Sequence, residues 1–153
     1  AGEIEWNGAN FLENGIQTHA ARFSFLPSDD RSLKSLETVF ENMQFWARFW
    51  GEEDKACLSA LGKMKLLPLK DRLVRVLSAG QKRRLSLARI FIKQTPLWLL
   101  DEPLNGLDQD AHDLFSQALA AHVEAGGMAV VASHYDMNVK AKVQRLIISG
   151  GGA

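Results

Sequence analysis

Two continuous apolar runs of strand length, Leu97–Leu100 and Met128–Ala132, flank an amphipathic stretch from Gln109 to Glu124. Strands apolar on both faces and joined through a helix point to a parallel sheet. Parallel neighbours need a crossover connection, and the crossing helices cover the sheet. Val143–Ile148 has the same apolar character and is expected as a further strand. Within Gln109–Glu124 the residues Leu114, Phe115, Ala118, Leu119 and Val123 share one side, and Gly126-Gly127 supplies the stop. The expected fold class is α/β.

Upstream, Glu3–Trp6 alternates polar and apolar residues before Asn7-Gly8, a hairpin-turn pair. Arg22–Leu26 is a second short strand, ended by Pro27 and the Ser28-Asp29-Asp30 cluster. From Leu36 to Trp50 the period becomes helical, with Phe40, Phe45, Trp46, Phe49 and Trp50 on a wide apolar face. Glu52–Leu67 reads as another helix ending before Pro68, and Ser78 opens a third that runs to about Lys93. The stretch 32–94 is therefore expected as an inserted helical lobe within a single domain, 1–153. The 153 residues are 46% hydrophobic, enough for one sizeable core. Eighteen basic residues balance 18 acidic ones, which argues against a nucleic-acid surface. Cys57 stands alone, so no internal disulfide forms, and it is expected as a small buried residue on a helix. No apolar run reaches the ~20 residues that span a bilayer. No basic segment leads into an apolar core near Ala1, so no signal peptide is expected.

Three strings carry chemistry. Asp101 and Glu102 follow the Leu97–Leu100 strand directly, and Pro103 ends it. An aspartate at a strand's C-terminal end suits Mg²⁺, and a carboxylate beside it can deprotonate a water. The same pair can also be two solvated acids. Ser78 stands at a helix start as a natural N-cap, and the N–H groups of Ala79, Gly80 and Gln81 there suit a phosphate. Lys82, Arg83 and Arg84 raise the positive potential nearby and are expected on a solvated face. His134 ends the Met128–Ser133 run 32 residues beyond Glu102, where parallel strands would bring both to one crevice. His19, His112 and His122 are expected at the surface. Asn105-Gly106 is a turn pair, and Asp108 is expected to cap the next helix, to lie at a dimer seam, or to do both at once.

Taken in order, Leu77-Ser78-Ala79-Gly80-Gln81, Trp98-Leu99-Leu100-Asp101-Glu102-Pro103 and His134 resemble the signature loop, Walker B strand and switch histidine of the ATP-binding-cassette (ABC) ATPases. The resemblance implies a P-loop NTPase fold, here partial, with a parallel sheet core and an inserted helical lobe. It implies ATP and Mg²⁺, with Asp101 as metal ligand and Glu102 and His134 as catalytic residues. Leu77, Ser78, Ala79, Gly80, Gln81 and Asp108 would meet nucleotide across a dimer. Implied partners are a second ATP-binding domain and a multi-span membrane subunit, at the cytoplasmic face of a bacterial inner membrane. Leu77–Arg84, Pro96–Pro103 and Glu124–Met128 are similar to the ATP-binding subunits of haem exporters in cytochrome c maturation. Two departures accompany the likeness. The 153 residues contain no Gly-x-x-x-x-Gly-Lys-Ser/Thr phosphate loop, the nearest string being Gly62-Lys63-Met64. A truncated chain, inactive alone, is the expectation. Ser28 also stands where the family usually has a glutamine after the second strand. The competing expectation is a non-catalytic subunit that completes a partner's ATP site.

Overall fold

The computed structural model describes residues 5–6, 8–10, 22–29, 31–134 and 142–144. Two-residue strands β1 (Glu5–Trp6) and β2 (Ala9–Asn10) form an antiparallel hairpin, with Gly8 at φ 77° in the turn. Strands β3 (Phe23–Leu26), β4 (Leu97–Asp101) and β5 (Met128–Ala132) form a parallel sheet in the order β3-β4-β5. Between β3 and β4 every regular element is helical. These are α1 (Val39–Trp50), α2 (Asp54–Lys63), short 3₁₀ turns at Leu67–Leu69 and Val74–Val76, and α3 (Ala79–Ala88), which continues as a 3₁₀ turn at Arg89–Phe91. Helix α4 (Gln109–Glu124) crosses from β4 to β5.

Helix boundaries follow local chemistry more closely than apolar period. Helix α1 starts at Val39, three residues later than the apolar spacing suggested. Thr38 is extended there and forms a reciprocal capping box with Glu41. Gly51 ends the helix at φ 73°. Helix α2 is shorter than the expected 52–67. Lys65 turns into the left-handed region at φ 54°, and Pro68 then enters a 3₁₀ turn that needs no donor from it. Buried Asn42 is satisfied locally: it accepts from the Lys34 N–H and donates to the carbonyls of Lys34 and Thr38.

The core joins lobe and sheet. Val39, Met43, Leu61, Leu85 and Leu87 of the helices, with Met64 just past the end of α2, are fully buried in the same cluster as Leu26, Leu100 and Phe115. Arg89 ties the lobe inward by donating to Ser32 and lying over the Trp46 ring at 4.9 Å. Cys57 is fully buried on α2, where burial pushes its thiol pKa up to about 11.

Two expectations are corrected here. From strands apolar on both faces, the sequence predicts a parallel sheet covered by helices. Register sets Ser24, Trp98 and Ala129 on one face and Phe25, Leu99 and Val130 on the other. Leu26, Trp98 and Leu100 are buried under helices, whereas Phe25 and Val130 are exposed. Among the described residues the helices therefore cover one face. The expected strand at Val143–Ile148 has no counterpart in 142–144, which are irregular and exposed, and its remainder lies outside the described residues. Glu3, Ile4 and His19 also lie outside them.

Neither described histidine of α4 is a free surface residue. The ring of His112 lies 3.2 Å from the Leu104 carbonyl. His122 stacks on the indole of Trp98 at 3.9 Å and 4°, with Nε2 donating to the Met128 carbonyl. A Cβ at Gly127 would collide with that ring, so glycine is what admits the stack. Burial lowers the His122 pKa, opposed by the Met128 hydrogen bond. The folded chain thus binds a proton less readily than the unfolded one. The stabilisation is complete above the ordinary histidine pKa and shrinks as pH falls below it. Thermal melts between about pH 7 and pH 5 should show the advantage of the parent chain over His122→Asn narrowing as pH falls.

Candidate functional site

The exits of β4 and β5 place the candidate acids beside the candidate histidine. Leu97 pairs with Met128 and Asp101 with Ala132. Beyond the last pair, the Glu102 N–H donates to the Ala132 carbonyl at 2.8 Å. Parallel strands leave the sheet on the same edge, so Glu102 and His134 emerge together. His134 Nε2 lies 3.3 Å from Glu102 Oε1, and the His134 N–H reaches Oε2 at 3.5 Å. The Glu102 side chain is 14% exposed while that of His134 is 93% exposed. One wall of the contact is thus fixed and the other open to solvent. Glu102 holds this place with φ 44°, a left-handed conformation costly for a residue bearing a Cβ.

A second cluster forms where α3 begins. Ser78 Oγ accepts from the Gln81 N–H, and the Gln81 side chain accepts from the Ser78 N–H, a capping box at an exposed helix start. Ala79 and Gly80 follow the cap, at positions whose N–H groups have no intrahelical acceptor. Leu77 is buried and anchors the turn. A Cβ on Gly80 would meet the Gly106 carbonyl at 3.4 Å, so the 105–108 loop lies against this helix start. Asp108 caps α4 through the Ala111 N–H and also takes both oxygens to Arg84, at 2.5 and 2.6 Å. Hydrogen bonding to Arg84 is the main cause that holds its carboxyl below the usual aspartate range.

Arg83 and Arg84 correct the expectation of a solvated basic face. Arg83 is 3% exposed. It donates to the carbonyls of Pro27, Asp101 and Glu102 at 3.0, 3.3 and 2.6 Å. The signal existed in the spacing: position 83 shares a helix face with Leu87 and Ile90, both buried. Charge alone hid it.

Among the described residues no group of three or more His, Cys, Asp or Glu could by itself hold a metal ion. Asp101 fits Mg²⁺ in the mode that uses one carboxylate plus water and phosphate oxygens. It is half-buried at the strand exit, beside a Glu102 already turned toward His134. On α1, Phe45 and Phe49 are exposed and line a groove of about 520 Å³ with Lys34, Glu41 and Arg48 on its rim. Phe40, Trp46 and Trp50 pack instead against the core. A larger cleft of about 810 Å³ opens by Pro96, Trp98 and Gly127, at the opposite ends of the strands, and none of the candidate residues lines it. No helix among the described residues is long and apolar enough to cross a membrane.

Comparison with known proteins decides the family. The model of the ABC transporter family matches residues 1–105. The chain belongs to the ABC transporter family. It is 46% identical over 108 residues to the cytochrome c biogenesis ATP-binding export protein CcmA of Roseobacter denitrificans, covering 71% of this chain and 52% of that protein. The namesake from Paramagnetospirillum magneticum is 39% identical over 145 residues, 90% of this chain and 64% of its own length. The chain thus spans between half and two thirds of these relatives. Its fold is similar to that of a dimeric ATP-binding cassette solved in a post-hydrolysis state with ADP and phosphate. The TM-score is 0.76 at 23% identity, over 90% of this chain and 64% of that one. The parallel sheet and inserted helices are therefore those of an ABC ATPase.

The Arg84–Asp108 pair yields a direct test. A carboxyl-carbon NMR titration should place Asp108 below an ordinary aspartate, and Arg84→Ala should return it toward the ordinary range. The pair's stabilisation should be complete above the ordinary aspartate range and be lost as pH falls from that range through the lowered midpoint.

Proposed function

We propose that this chain is part of an ATP-hydrolysing subunit that energises a membrane exporter, the haem exporter of cytochrome c biogenesis. The contact between Glu102 and His134, with Asp101 beside it at the same strand exit, is the observation that carries the reading. Glu102 receives the proton of the attacking water. Its carboxylate is directed by the left-handed backbone at 102 and steadied by His134. His134, open to solvent, donates to the terminal phosphate when nucleotide is bound. Asp101 supplies a ligand oxygen to Mg²⁺, which when bound neutralises charge on the phosphates. Leu77–Gln81 present a helix start to a nucleotide held by a second ATP-binding domain, with Asp108 near the same seam. The 153 residues carry no phosphate-loop string, so by themselves they hold ATP weakly or not at all.

The identities with the two CcmA proteins favour the export role and an attachment at the cytoplasmic face of the inner membrane through a membrane subunit. The groove beside Phe45 and Phe49 suits a cytoplasmic helix of that subunit. Two exposed rings supply apolar area at low entropy cost, and the charged rim fixes orientation.

Two outcomes are expected of the intact protein. Glu102→Gln should lower ATP turnover by about 10²–10⁴-fold while nucleotide binding is kept, because the amide preserves size and loses the base. Turnover at the parent rate would sink the assignment. Separately, Phe45→Ser with Phe49→Ser should weaken co-purification with the membrane subunit while the protein still melts cooperatively, since both rings are exposed and neither belongs to the buried core.

A further inference from the structure

Lys82, Arg83 and Arg84 are consecutive, yet only the middle one is turned fully inward. A buried guanidinium needs acceptors for its N–H groups, because an ionised group loses much of its solvation on burial. Three main-chain carbonyls accept from Arg83. They come from two strand exits: Pro27 just after β3, and Asp101 and Glu102 at the end of β4. The shortest of these bonds, 2.6 Å, goes to the residue with the left-handed backbone.

Glu102 is thereby fastened on both sides of its own Cα. Its N–H is held by the Ala132 carbonyl, and its carbonyl accepts from Arg83 and from the Asn105 N–H at 3.2 Å. A residue with a Cβ keeps a positive φ only where its surroundings enforce it. Relaxation to an ordinary φ would swing the Glu102 side chain away from His134. The fastening therefore sets where the carboxylate points, and Arg83 supplies the part of it that comes from a different element. Arg84, one residue on, is spent on Asp108 and contributes nothing to Glu102.

We propose that Arg83 is a positioning residue: it holds the left-handed turn at Glu102 that aims the carboxylate at His134 and at the reacting water. The inference rests on the reading of Glu102 as the general base. The Arg83 side chain is buried, and its fork reaches acceptors on two strand exits that a single ammonium cannot span together.

The test is steady-state and single-turnover ATP hydrolysis by the intact protein carrying Arg83→Met, Arg83→Lys, Glu102→Gln and the Arg83→Met/Glu102→Gln pair. Arg83→Met should lower kcat by about 10- to 100-fold, the effect of misplacing a reacting group by about 1 Å. The KM for ATP should change by less than kcat does. Arg83→Lys should recover part of the loss, since its ammonium still reaches the Glu102 carbonyl. In the Glu102→Gln background, Arg83→Met should cause no further fall, because a positioning group has nothing left to position. An equal fall in both backgrounds, a change confined to KM, or an unchanged kcat would overturn the proposal. Should Arg83→Met fail to fold, Arg83→Lys enters the same cycle under the same criteria. A parent protein that hydrolyses no ATP overturns the functional reading itself, an outcome separate from any behaviour of Arg83.

Discussion

Successive pairings tie β4 to β5, from Leu97 opposite Met128 to Asp101 opposite Ala132, and the place of each candidate catalytic group follows from that ladder. Because the strands run parallel, their last residues lie on one edge of the sheet. Because the register puts Asp101 against Ala132, Glu102 finds the Ala132 carbonyl and His134 arrives within reach of its carboxylate. A slip of one residue would reverse the facing of every side chain along β5. It would expose the stretch that packs under α4 and carry His134 away from Glu102.

Helix α3 is the second tie, and it works at right angles to the ladder in sequence terms. It is the last helix of the insertion between β3 and β4, and it grips the exits of both strands, through Arg83 on Pro27 and on Asp101 and Glu102. Arg84 takes Asp108, which in turn caps α4. Two adjacent cations on one turn thus connect the end of β3, the end of β4 and the start of the crossover helix. Hydrophobic packing brings these elements together, with Leu85 and Leu87 fully buried. The directional bonds then select one arrangement among the many that would bury the same area.

Much of this was legible in the residues. Leu97–Leu100, Met128–Ala132 and Gln109–Glu124 became β4, β5 and α4 with boundaries shifted by at most one residue. Long apolar runs and a capped amphipathic period are decided locally, so they survive in one dimension. The N-cap role of Ser78 was legible for the same reason. The late start of α1 was harder, because Leu36 fits the period and only the Thr38–Glu41 capping box excludes it. The stacking of His122 on Trp98 and the inward turn of Arg83 were illegible to charge-based reading. Both depend on which element lies opposite, and polarity alone assigns such residues to water. The face bearing Phe25 and Val130 misled in the other direction: apolar composition marks a surface as able to be covered without saying that a described helix covers it.

The acceptors that positions 27, 101 and 102 offer Arg83 are main-chain atoms every amino acid possesses. The scaffold at the strand exits is therefore blind to side-chain identity at positions 27, 101 and 102, apart from what their backbones must do. Chemistry and architecture are carried by different atoms of the same residues. Lineages of such a chain can trade the acids at 101 and 102 for other groups, and so alter or silence turnover, while the junction of sheet and lobe keeps its shape.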